Sequence, residues 1–116
     1  MMGQDARDED QLYVILRYCE RLLGTVKFFG RDYATFCNSA PYQDACALCL
    51  IQTGEAVNRL SNEFREAHPQ IEWSKIYGMR NHLVHGHDMF DCEIAWDAIE
   101  NYVPPLREFC EERIAD

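Results

Sequence analysis

Positive charge is what this chain has least of. Its 11 Lys and Arg stand against 20 Asp and Glu, giving a formal net charge of −9. Phosphate contacts dominate the affinity of proteins that hold nucleic acid tightly on their own. A chain this acidic engages a polyanion only through a local cationic patch, and the acidity equally suits a basic protein partner. Long apolar runs are missing too. No window approaches the roughly 18 consecutive apolar residues of a membrane span, so no membrane role is expected. The opening Met1-Met2-Gly3-Gln4-Asp5-Ala6-Arg7-Asp8-Glu9-Asp10 is acidic and polar, the reverse of a secretion signal, and a cytoplasmic location is expected. No stretch alternates apolar and polar residues long enough to make a strand, and no internal repeat or low-complexity tract occurs.

Six cysteines are present, at 19, 37, 46, 49, 92 and 110. Without a secretion signal they are expected to stay reduced, and four of them fall in apolar helical patterns where a free thiol packs as a small hydrophobe. Cys46-Ala47-Leu48-Cys49 has CxxC spacing but lacks both a second pair and a preceding strand, so packing is favoured over zinc or redox chemistry. With 116 residues the chain reads as a single domain, 1–116, able to bury roughly two-thirds of its unfolded surface.

What is present is helical periodicity. From Asp8 to about Phe29, the set Leu12, Ile15, Leu16, Cys19, Leu22, Leu23, Val26 follows amphipathic spacing, with Asp8 or Asp10 as a start cap and Gly30 as the stop. A short helix is expected over Arg31–Phe36. A long one should run from Pro41 to Ala67, with Gly54 inside it permitting close packing of a neighbour at a propensity cost of about 1 kcal/mol. The next opens at Trp73-Ser74 with Ser74 as N-cap, buries Ile76, Met79 and Leu83, and ends near His85 with Gly86 as a left-handed C-cap. Asp91–Tyr102 continues, and Pro104-Pro105 kink or restart a terminal helix. The fold class is therefore all-α, an up-down bundle of about five helices.

The chemistry lies in Arg80-Asn81-His82-Leu83-Val84-His85-Gly86. Arg80 is a permanent cation whose planar fork matches phosphate oxygens. His85 exchanges protons near neutrality, and Asn81 lies one turn before it on the same helix face. Such a set can cleave a phosphodiester without a metal or cofactor. Arg80 and His85, five residues apart, point roughly 140° away from each other on a regular helix. A site using both needs an unwound last turn or a second copy of the chain. Two other readings stay open from these residues: ordinary helix capping by cations ahead of Gly86, and a metal held by His82, His85 and His87 with Asp88 or Asp91.

The wider context narrows the choice. Gln52-Thr53-Gly54-Glu55-Ala56, Leu60-Ser61-Asn62-Glu63-Phe64, His68-Pro69-Gln70-Ile71-Glu72-Trp73, Ile76-Tyr77-Gly78-Met79 leading into Arg80–Gly86, Phe90-Asp91, Ile94-Ala95-Trp96 and Pro105-Leu106 together resemble the HEPN superfamily. The likeness is specifically to the HepT-like ribonuclease toxins and covers about residues 10–113. The resemblance implies a homodimeric helical bundle in which the Arg-x4-His elements of both protomers meet. It implies a metal-independent endoribonuclease, the toxin of a type VII toxin–antitoxin pair, whose usual antitoxin partner is MntA, a small nucleotidyltransferase that adds AMP to a toxin tyrosine. Arg80 and His85 would be catalytic and Asn81 supporting, with His82, His87 and Tyr77 at the site's periphery. RNA is the implied substrate. An alternative within the superfamily is a non-catalytic module that binds nucleotide or dimerises beside a nucleotidyltransferase. The sequence departs from the family motif Arg-x4-His-x-Tyr in one position. His87 stands where the AMP-accepting tyrosine is usual, so the partner would act by binding alone, another tyrosine such as Tyr77 would be modified, or this member would be regulated differently.

Overall fold

The stripe read over residues 12–26 is buried along the first helix, α1 (Met2–Phe29), where Ile15, Cys19 and Leu22 are almost wholly excluded from solvent. The computed structural model describes residues 2–85 and 90–114, and the side chains of all of these except 2–5 and 85. Gly30 ends α1 with φ +108°, a left-handed conformation that side-chain-bearing residues rarely adopt. The turn leads to α2 (Tyr33–Cys37), whose N-cap Asp32 accepts from the Thr35 amide at 2.9 Å. Ser39 caps α3 (Ala40–Arg59) by accepting from the Tyr42 amide at 3.3 Å, and Pro41 sits in the first turn, where its missing N–H costs nothing.

One expectation fails here. The helix read as continuous from Pro41 to Ala67 breaks at Leu60, which is extended at φ −64°, ψ 145°. Ser61 then caps a separate short helix, α4 (Asn62–Ala67). The reason is long-range. Asp8, buried at 6% exposure, accepts hydrogen bonds from the Ser61 amide and hydroxyl, both at 2.8 Å. A carboxylate on α1 thereby stabilises the break. Asp8 itself lies inside α1, which begins at Met2, so it does not cap the start of that helix.

The following helix, α5 (Trp73–His85), starts one residue before the expected cap. The Glu72 carbonyl accepts from the Lys75 and Ile76 amides at 3.1 and 3.2 Å, leaving Ser74 within the first turn. The helix buries Ile76 and Met79 and half-buries Leu83. The proposed cap Gly86 lies outside the described residues. Asp91 caps α6 (Cys92–Asp97) by accepting from the Ile94 amide at 3.0 Å. A wide π turn over Ala98–Tyr102 joins α6 to α7 (Val103–Ile114). Pro104 and Pro105 have no N–H to continue an α-helical ladder, and the wider turn absorbs that loss.

Among the described residues there is no strand, as expected for an all-α bundle. The first helix packs along α3 and α7, and α3 packs along α5. Their shared core includes Ile15, Leu22, Val57, Leu60, Ile99 and Leu106, each contributing roughly 1.5–3 kcal/mol by burial. All six cysteines are free. Cys46 and Cys49 of the CxxC are buried, and burial pushes the Cys46 thiol up to about 12. A redox or metal-binding thiol needs the opposite shift, so packing is the role of this pair. No helix is long and apolar enough to cross a membrane among the described residues.

Candidate functional site

Where α3 crosses α5, Gly54 faces the base of the Arg80 side chain. A Cβ at Gly54 would lie 2.9 Å from Arg80 Cγ and closer still to its Cβ. The glycine read as a packing device is therefore the element that lets Arg80 emerge between the two helices. The next residue of α3 holds the guanidinium. Glu55 Oε1 accepts from Nε of Arg80 and forms an ion pair with its Nη2. On the other side, Nη1 donates to Asn81 Oδ1 at 2.7 Å. Three of the five guanidinium N–H donors are thus engaged, which leaves two for an incoming oxyanion.

Arg80 is partly exposed, its side chain retaining 22% of its accessible surface. The second oxygen of Glu55 lies 3.9 Å from Arg59 Nη2. Two guanidiniums therefore share one carboxylate, so these three side chains together sum to one positive charge on a chain of net −9. This is the kind of cationic patch an acidic protein needs to meet phosphate. On the preceding turn of α5, the ring of Tyr77 lies with its centroid 5.8 Å from the Arg80 guanidinium carbon, within cation–π range.

Of the residues singled out in the sequence, Arg80, Asn81 and Tyr77 come together. His82 is exposed on α5. Backbone helicity extends through His85, so α5 is not unwound ahead of that residue. The His85 side chain and all of Gly86, His87 and Asp88 lie outside the described residues. Asp91, a ligand in the metal reading, is committed to capping α6. The residue that sequence reasoning passed over is Glu55. Its signal is an acidic residue beside a mid-helix glycine, but 25 positions separate it from Arg80.

The family profile described as Ribonuclease HepT-like matches residues 15–113. The chain belongs to the HepT-like ribonuclease family. It is 30% identical over 105 residues to "Putative RNase MJ0125" of Methanocaldococcus jannaschii, covering 90% of this chain and 89% of that one. With "Putative RNase TTE0752" of Caldanaerobacter subterraneus it shares 35% identity over 98 residues, 84% of this chain and 86% of the relative. A shorter similarity, 32% over 54 residues, links it to "Probable ribonuclease HepT" of Thermococcus cleftensis, covering 47% and 49% of the two chains. No solved structure matches the chain. The profile spans α1 through α7 and includes Arg80, Asn81 and His85.

Proposed function

We propose that this HepT-like ribonuclease is a metal-independent endoribonuclease whose working site is built by two copies of the chain at the ends of their α5 helices. It would be the toxin of a type VII pair, restrained by a small MntA-like nucleotidyltransferase. The observation that carries this reading is the held guanidinium of Arg80, aimed by Glu55 and Asn81 with two donors to spare. Because α5 stays helical through His85, position 85 lies roughly 140° around the helix from position 80. A second copy supplies the missing half in a two-fold assembly.

In that composite site an Arg80 guanidinium binds the scissile phosphate and offsets charge building on its equatorial oxygens. One His85 imidazole takes the proton of the ribose 2′-OH as O2′ bonds to phosphorus. The other gives a proton to O5′ as the P–O5′ bond breaks. The products are a 2′,3′-cyclic phosphate and a 5′-hydroxyl.

The purified protein should cleave RNA in EDTA, and His85→Ala should abolish cleavage; equal turnover by the variant would overturn the reading. Mixing inactive Arg80→Ala and His85→Ala protomers should leave cleavage far below wild type, since a mixed dimer holds one His85 imidazole and the step uses two. The acidity of the chain favours a second reading, a nucleotide-binding module without turnover. Saturable calorimetric binding of ATP or AMP, with no RNA cleavage, would establish it.

A further inference from the structure

A cleft of about 550 Å³ opens beside the site, between α4, the linker after it and the first turns of α5. Tyr77 and Arg65 both line it, together with Glu66, Pro69 and Trp73. We propose that this cleft receives the nucleoside adjoining the phosphate held by Arg80, with its base laid against the Tyr77 ring. The proposal rests on the ribonuclease reading above and names the part of the RNA that the reading leaves unplaced.

Continuity is the first argument. Tyr77 belongs both to the cleft and to the Arg80 cluster, so a nucleotide whose phosphate lies on Arg80 has its nearest ring surface there. A half-exposed tyrosine is also an ordinary base-stacking platform. The second argument is charge. Arg65 donates Nη1 to the Val57 carbonyl at 3.2 Å and Nη2 to Asn62 Oδ1. Among the described residues no carboxylate lies within salt-bridge distance of it. Its charge is open to the next phosphate along the strand.

The cleft is also preformed. The Trp73 indole N–H donates to the carbonyls of Arg65 at 3.1 Å and His68 at 2.9 Å, pinning the linker against the start of α5. Two carboxylates line the interior. Glu72 pairs with Lys75 at 3.5 Å, whereas Glu66 has no cationic partner among the described residues. An acidic lining repels phosphate and accepts hydrogen bonds from exocyclic amines. The cleft therefore takes the base, and it favours adenine, guanine or cytosine over uracil.

The test uses a fully 2′-O-methylated hexanucleotide, which has no attacking hydroxyl, with 2-aminopurine placed at each position in turn. Binding to the wild-type protein should quench the fluorophore at one position by stacking. Tyr77→Leu should lose that quenching and bind about tenfold more weakly, while Tyr77→Phe keeps both. An abasic nucleotide at the quenched position should weaken binding to the unaltered protein by a similar factor, which needs no variant to fold. Binding without quenching at any position, or equal quenching by Tyr77→Leu, overturns the proposal. Quenching by a protein that does not cleave the matching 2′-hydroxyl RNA overturns the nuclease reading alone, and failure of the wild type to bind overturns both.

Discussion

Gly54 and Arg80 are in direct apposition across α3 and α5, with no room between them for a methyl group. Ordinarily Gly→Ala in a helix interior stabilises by up to about 1 kcal/mol. At Gly54 the added carbon would drive into the Cβ and Cγ of Arg80, and overpacking of this kind costs about 1–3 kcal/mol. Gly54→Ala should therefore lower stability in urea denaturation and sharply reduce RNA cleavage. Gly24, mid-helix in α1, is the control, since a methyl group there would meet nothing within 4 Å. Gly24→Ala should stabilise by about 0.5–1 kcal/mol and leave cleavage unchanged.

Glu55→Gln keeps the shape of the side chain and removes the charge that aims Arg80. The guanidinium would then sample several directions, and kcat/KM should fall about tenfold with little change in melting temperature, since most of the loss is orientation. Arg80→Lys should lose far more, because an ammonium cannot span Glu55, Asn81 and a phosphate together. Comparable activity in wild type and Glu55→Gln would show that the carboxylate has no part in positioning Arg80.

Removing the Asp8 carboxylate leaves the Ser61 amide and hydroxyl without their acceptor. Hydrogen bonds to a buried charge are each worth about 1.5–3 kcal/mol. Asp8→Ala should thus cost about 2–4 kcal/mol, read from chemical denaturation, with amide exchange accelerated first in α4.

His68 gives a pH signature. Burial first, and then the nearby Arg113, hold its imidazole below the ordinary histidine value; its ring packs 4.6 Å from Phe64 and 5.1 Å from Phe109, centroid to centroid. The unfolded chain therefore takes up this proton more readily than the folded one. The contribution is complete above the unfolded value, near 6.5, and is lost as pH falls through the lower folded value. Wild-type stability should decline from about pH 7 to pH 5 more steeply than that of His68→Gln. Parallel curves would exclude His68 as the source.

The all-α class, the end of α1 at Gly30 and the packing role of Gly54 were legible because each is written in local spacing or in one residue's conformational freedom. The break at Leu60 was not. Ser61 with Glu63 in the following turn is a recognisable helix start, but the apolar periodicity runs straight across it, and the deciding carboxylate sits 53 residues upstream. Arg80 was singled out in the sequence, whereas Glu55, which pairs with it, was not. A salt bridge between two helices leaves no mark on the spacing within either one. The π turn had half a signal: Pro104-Pro105 announced a disturbed ladder, yet only the packing of Ala98 and Ile99 against the core fixed how it is absorbed.

The bond from Asp8 to Ser61 has a practical corollary for anyone handling the protein. The helix it anchors, α4, carries Arg65 and Glu66 in the cleft lining, so unravelling the opening turns of α1 would loosen a wall far along the polypeptide. Trimming those first residues would then leave Arg65 open to trypsin, and an affinity tag fused there would disturb the cleft rather than serve as a neutral handle.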